Sequence, residues 1–173
     1  MTYRPLILFV CTGNTCRSAM AERLFLHLLQ AHGDEERFRT ASAGVWAHAG
    51  RPAAAEAVAL LASQGLDLSQ HRSRPLTQQL VDEADVLLVM ERAHLEDLTL
   101  RFSRTRGKTY LLSSVTGERK DLTDPISLGE EAYAACYETL LAYLTEGYQH
   151  IVAMAEGASP PAKPRKRWPW QRR

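Results

Sequence analysis

Residues Leu6–Leu29 read "LILFVCTGNTCRSAMAERLFLHLL", and the fold turns on how this stretch is interpreted. Leu6, Ile7, Leu8, Phe9 and Val10 are all apolar, the pattern of a strand buried on both faces. Cys11 ends the run, and small or polar residues lead to Arg17 and Ser18. Ala21, Leu24, Phe25 and Leu28 then recur at helical spacing, with Gly33 as a stop. A buried strand thus feeds a short loop that opens directly into a helix.

The alternation continues along the chain. Phe38–Ala43 reads as a second strand ending at Gly44, and Pro52 opens an alanine-rich helix that Gly65 closes. Leu76–Ala84 reads as a short helix, Asp85–Met90 ("DVLLVM") as a buried strand and Glu91–Phe102 as a helix. Thr109–Leu112 is a fourth, weaker strand, and Glu130–Ala155 is expected to be one long helix with Tyr133, Tyr137, Leu140, Leu141 and Leu144 on one side. Strands alternating with helices imply an α/β three-layer sandwich, a four-stranded parallel sheet with helices on both faces. Ligands of such sheets sit beyond the carboxyl ends of the strands, where Cys11 lies.

Composition narrows the class. A chain of 173 residues with 45% apolar and 24% charged residues is an ordinary globular domain. No apolar run approaches the roughly 18 residues of a membrane span, and Met1–Arg4 lacks the character of a cleavable signal. Three cysteines, two of them in one loop, do not form a secreted disulfide framework, so a reducing cytoplasm is expected. The net charge of +1 conceals a basic tail: Lys163, Arg165, Lys166, Arg167, Arg172 and Arg173 follow Gly157 with no acidic residue among them. Without those six, 15 basic residues face 20 acidic ones, which excludes a broad nucleic-acid surface on the body. Residues 1–156 are therefore read as one domain and 157–173 as a Pro- and Trp-containing tail unable to build a core.

The loop Cys11-Thr12-Gly13-Asn14-Thr15-Cys16-Arg17-Ser18 has the makings of an oxyanion cradle. Wrapping into a helix N-terminus aims several backbone N–H groups at one point, where the helix dipole also favours negative charge. Gly13 allows the loop to curl into a nest, and Arg17 offers a planar fork for two oxygens. The same field favours a Cys11 thiolate, and Ser18 can donate a hydrogen bond to it. A buried structural cysteine beside a helix-capping arginine is the competing interpretation. A nucleotide-binding Walker loop is excluded because no Gly-Lys-Ser/Thr follows.

With these residues the chain resembles the low-molecular-weight protein tyrosine phosphatases. Their signature V-C-x-G-N-x-C-R-S-P is present except that Ala19 stands where proline is expected, a change that softens helix entry slightly. "SAG" at Ser42–Gly44 and "DLTDPISLG" around Asp124-Pro125 are similar to two further family segments. The resemblance implies Cys11 as nucleophile, Arg17 as oxyanion clamp and Asp124 as general acid, with Thr12 to Ser18 binding phosphate and no metal or cofactor. It implies that Asn14 holds the loop, supported by Ser42 and His71. On the residues alone, Ser42 could simply end a strand, His71 could be a surface turn residue and Asp124-Pro125 an ordinary turn. Cys16 resembles a second loop cysteine able to pair with the nucleophile, or else is a small buried residue. Cys136 reads as core.

Phosphorylated protein is the substrate class this implies. Tyrosine-directed members place aromatic residues after Asp-Pro, where this chain has Ile126 and Ser127; Trp46 and His48 are candidate replacements. Thr15 favours a phosphoguanidinium over an ester, since the protein arginine phosphatases resemble this chain in reading "CTGNTCRS". Phosphoarginine is therefore preferred over phosphotyrosine, with Thr15 as a mere loop filler the alternative. Arsenate reduction is disfavoured because no cysteine lies between Cys16 and Cys136. An idle phosphate-binding regulator would need neither Cys11 nor Asp124. The tail, with Trp168 and Trp170 among its cations, is suited to an anionic membrane or nucleic acid, or is simply solvated.

Overall fold

A computed structural model describes residues 2–162 of the chain. Four strands, β1 (Leu6–Cys11), β2 (Arg39–Gly44), β3 (Val86–Val89) and β4 (Thr109–Leu111), form a parallel sheet in the order β2-β1-β3-β4. Helix α1 (Arg17–His32) joins β1 to β2; α2 (Ala55–Ser63) and α3 (Gln78–Glu83) join β2 to β3. Helix α4 (Arg92–Arg101) precedes β4, and a 3-10 helix (Leu112–Thr116), α5 (Glu130–Glu146) and α6 (Tyr148–Ala155) follow it.

The unbroken apolar run of β1 is explained by its two covered faces. Ile7 and Phe9 enter a core built with α1, α2, α5 and α6, while Leu6, Leu8 and Val10 enter a second core with α3 and α4. Each fully buried side chain of this size contributes about 1.5–3 kcal/mol. The three-layer α/β sandwich expected from the sequence is the architecture found.

Topology then positions the site. The chain steps from β1 to β2 on one side and crosses back to place β3 on the other, so the strand order reverses between β1 and β3. Val10 pairs with Val89, which brings Cys11 and the residues just past β3 to one edge of the sheet. That crevice is where open α/β sheets bind ligands.

Two expectations are corrected. The single helix over Glu130–Ala155 is two, broken at Gly147. A Cβ on Gly147 would lie 2.2 Å from Val115 Cγ2 and 2.6 Å from the Tyr143 carbonyl oxygen. The 3-10 helix therefore presses against the chain where the helix axis breaks, while the apolar spacing runs on through Tyr148 and Ile151. Leu112 belongs to that 3-10 helix rather than to β4. Among the described residues no helix is long and apolar enough to cross a membrane. The basic segment 163–173, on which the membrane or nucleic-acid expectation falls, lies outside the described residues.

Candidate active site

Cys11 is the last residue of β1 and is buried. Residues Thr12–Cys16 form the loop, and α1 begins at Arg17, its first helical hydrogen bond running from the Met20 N–H to the Cys16 carbonyl at 2.8 Å. The end of β2 lies flat against this loop: Val45 N–H donates to the Cys11 carbonyl at 2.9 Å and Trp46 N–H to the Thr12 carbonyl at 3.0 Å. Gly44 makes the approach possible, since a Cβ there would stand 2.5 Å from the Thr12 oxygen and 3.0 Å from the Asn14 nitrogen. The "SAG" segment is thus a packing requirement of the loop.

Asn14 organises the loop from its centre. It is fully buried at a left-handed φ of 56°, a conformation asparagine adopts more readily than most residues. Its Nδ2 donates to Ser18 Oγ at 2.9 Å and Ser42 Oγ at 2.8 Å, and its Oδ1 accepts the Arg74 N–H at 2.9 Å. The His71 Nε2–H donates to the Asn14 carbonyl at 2.6 Å. Each serine oxygen accepts one amide hydrogen from Asn14, which leaves its own hydroxyl hydrogen available for a further partner. Ser42 donates to Glu22, and Ser18 Oγ lies 2.9 Å from Cys11 Sγ, a contact in which the hydroxyl can donate to the sulfur. The Asn14 N–H approaches the same sulfur at 3.3 Å. Cys11 sulfur thus sits between the Ser18 hydroxyl and the Asn14 N–H.

Arg17 is nearly fully buried, with 1% of its surface exposed. Its Nη1 donates to Glu91 and to the Leu122 carbonyl at 2.8 Å, and its Nη2 donates to Asp124 Oδ2 at 2.9 Å. Burial works against its charge, but the Glu91 hydrogen bond and the other anionic neighbours prevail and hold the guanidinium above its ordinary pKa. Among the described hydrogen bonds the Nε–H and the second Nη2–H are uncommitted, a pair of donors in fork geometry. Asp124 is fixed on its other side by the Ile126 N–H, which donates to Oδ1 at 3.1 Å.

All three cysteines are free thiols. Burial pushes Cys136 up to about 12 and raises Cys16 as well, so both remain protonated. Trp46, 61% exposed, is held on α4 by Arg101, stacked 4.0 Å from its ring, and by a 3.2 Å hydrogen bond to Asp97. Ile126 is half-exposed beside Asp124.

The structure thus joins Cys11, Asn14, Ser18, Ser42 and His71 in one hydrogen-bonded network and pairs Arg17 with Asp124 in another close by. Sequence reasoning missed Glu91, His94, Arg74 and Glu22. Glu91 was findable, because it is the first residue beyond "DVLLVM" and so lies at the carboxyl end of the strand beside β1. Arg74 contributes a backbone N–H, which no side-chain pattern announces.

Known proteins place this geometry. The family described as Low molecular weight phosphotyrosine protein phosphatase matches residues 6–154. A protein-arginine-phosphatase of Bacillus subtilis is 40% identical over 128 residues, covering 73% of this chain and 83% of its own. The low molecular weight protein-tyrosine-phosphatase Etp of Escherichia coli K12 is 35% identical over 134 residues, covering 78% and 86%. Among solved structures, the low molecular weight protein tyrosine phosphatase of T. tengcongensis superposes with a TM-score of 0.80 at 34% identity, covering 84% of this chain and 99% of its own. The YwlE arginine phosphatase, as a Cys-to-Ser mutant with a phosphorylated active-site serine, superposes at 0.79 and 36%, covering 83% and 94%. With its signature loop, its sheet and its full-length relatives in agreement, this chain belongs to the low molecular weight phosphotyrosine protein phosphatase family.

Proposed function

We propose that residues 1–156 form a protein phosphatase that works through a phosphocysteine on Cys11 and takes phosphoarginine. The observation that carries the reading is the hydrogen-bonded chain Asn14–Ser18–Cys11, which sets the Ser18 hydroxyl 2.9 Å from the sulfur, while Arg17 and Asp124 stand paired nearby.

In this reading Cys11 Sγ attacks phosphorus in line, forming an S–P bond as the bond to the leaving group breaks. The backbone N–H groups of Thr12 to Ser18 and the free edge of Arg17 take the equatorial oxygens as charge shifts onto them. The phosphoryl oxygens thus take the Arg17 edge that Asp124 leaves open, beside the Nη2–Asp124 pair. Asp124, in its protonated form, gives its proton to the departing nitrogen or oxygen and is left as the carboxylate. Water then attacks phosphorus, gives its proton to Asp124 and expels the Cys11 thiolate, which the Ser18 hydroxyl stabilises as a leaving group.

Three features support phosphoarginine. Thr15 is half-buried with its hydroxyl close to Gly13, so the loop carries a polar group where isoleucine would be apolar. Ile126 and Ser127 leave the slot after Asp124-Pro125 without an aromatic wall. The Bacillus subtilis relative is a protein-arginine-phosphatase. Phosphotyrosine is the second reading, favoured by the exposed Trp46 ring next to the loop. Phosphate release from matched phosphoarginine and phosphotyrosine peptides separates them, with Cys11→Ser as control. Preference for phosphoarginine that Thr15→Ile abolishes is expected; equal or greater release from phosphotyrosine would make Thr15 a filler.

A further inference from the structure

The loop is clamped at Thr12 as well as at Asn14. His94 lies in the first turn of α4 with only 3% of its surface exposed. Its Nδ1 accepts the Glu91 N–H at 3.1 Å, and its Nε2 lies 2.9 Å from Thr12 Oγ1. A backbone N–H can only donate, so Nδ1 bears no proton, and the neutral ring must carry its hydrogen on Nε2. The direction is thereby fixed: Nε2–H donates to the threonine hydroxyl. Trp46 N–H holds the Thr12 carbonyl at 3.0 Å, so both oxygens of Thr12 are anchored, one to α4 and one to the chain past β2. The same turn of α4 is preceded by Glu91, which grips Arg17 at the other end of the loop.

We propose that His94 is a positioning residue of the phosphate loop, neutral and Nε2-protonated, which fixes Thr12 and thereby aims the loop's backbone N–H groups at the oxyanion. This rests on the loop being an oxyanion cradle, as argued above. The groups facing the ring agree with a neutral imidazole. Burial disfavours its charge most and Arg17 adds to this, while Glu91, Asp97 and Asp124 oppose them without prevailing, so its pKa is lowered. Protonation would set an Nδ1–H against the Glu91 N–H and push the ring off Thr12.

The test uses the full chain and competitive inhibition by inorganic phosphate. Thr12→Val removes the hydroxyl at equal volume. His94→Asn offers Glu91 an acceptor but does not reach Thr12, whereas His94→Gln reaches Thr12 with an amide N–H. Thr12→Val and His94→Asn should each raise the phosphate inhibition constant roughly 3- to 10-fold, the range of one net hydrogen bond. Together they should do no more than either alone, because they break the same contact. His94→Gln should recover part of the loss, and nitrogen NMR of the imidazole should show Nδ1 unprotonated. An unchanged inhibition constant in Thr12→Val overturns the proposal even if the His94 variants fail to fold. So do effects that multiply, or a proton on Nδ1. Wild-type protein that binds no phosphate would instead overturn the cradle itself.

Discussion

At the scale of single residues, the site is built around Asn14. A non-glycine residue at φ 56° costs on the order of 1 kcal/mol, and here it is offset by hydrogen bonds from both ends of the side-chain amide and from the carbonyl. Glycine at this position would relax the backbone but leave Ser18 and Ser42 without their donor. The consequence for chemistry falls on Ser18, whose oxygen is held by that amide and lies against the Cys11 sulfur. A hydrogen bond to a charged partner is worth about 1.5–3 kcal/mol, so Ser18→Ala should lower kcat roughly 10- to 100-fold with little change in KM. Turnover equal to wild type would show that the 2.9 Å contact to Cys11 does not assist the reaction. Asp124→Asn should slow release of poor leaving groups most, and an equal loss for every leaving group would discredit its role as the acid.

At the scale of elements, two glycines mark where pieces of the fold press together, and they separate stability from function. Gly147 faces Val115 at the α5–α6 break, far along the chain from the loop. Gly147→Ala should destabilise by about 1–3 kcal/mol in a denaturant melt while leaving the phosphate inhibition constant near wild type. Gly44→Ala places a methyl 2.5 Å from the Thr12 oxygen and should weaken phosphate binding even in protein that remains folded. Reversal of that pattern would contradict the assignment of Gly44 to the loop. These same elements show what a sequence reveals. The strand Leu6–Cys11, its loop and α1 were legible because each is written in adjacent residues, as apolar run, turn and helical spacing. The break at Gly147 was not, because its cause is Val115, brought near only by tertiary packing. His94 acts across the crossover between β1 and β3, and Arg74 acts through its backbone, so their roles emerge only once the sheet order is known, whereas Glu91 stands directly after a legible apolar strand.

For the molecule as a whole, acid should lower stability over two pH ranges. His94 has a lowered pKa in the folded state, so the neutral ring contributes stability that is complete above about pH 6.5 and declines below it, as the unfolded chain takes up the proton first. Asp34 comes next. The Tyr148 O–H donates to it at 2.6 Å and Arg37 pairs with it, and these hold its carboxyl below the usual carboxylate range despite some burial. That contribution is present above about pH 4 and lost as pH falls through the folded value. The contact joins the chain past α1 to α6, and Tyr148 stacks on His32 of α1 with ring centroids 3.9 Å apart. Denaturant melts across pH should show both declines, with Tyr148→Phe flattening only the lower one; an unchanged lower limb in that variant would remove Asp34 from the account.

The central claim is that phosphate passes through Cys11. Wild-type protein mixed with excess phosphoarginine peptide, quenched within the first turnover and mapped by mass spectrometry, tests this most directly. The account predicts phosphate on Cys11, in amount approaching the enzyme present, lost as inorganic phosphate is released. Rapid phosphate release with no phosphate ever found on Cys11 would contradict it.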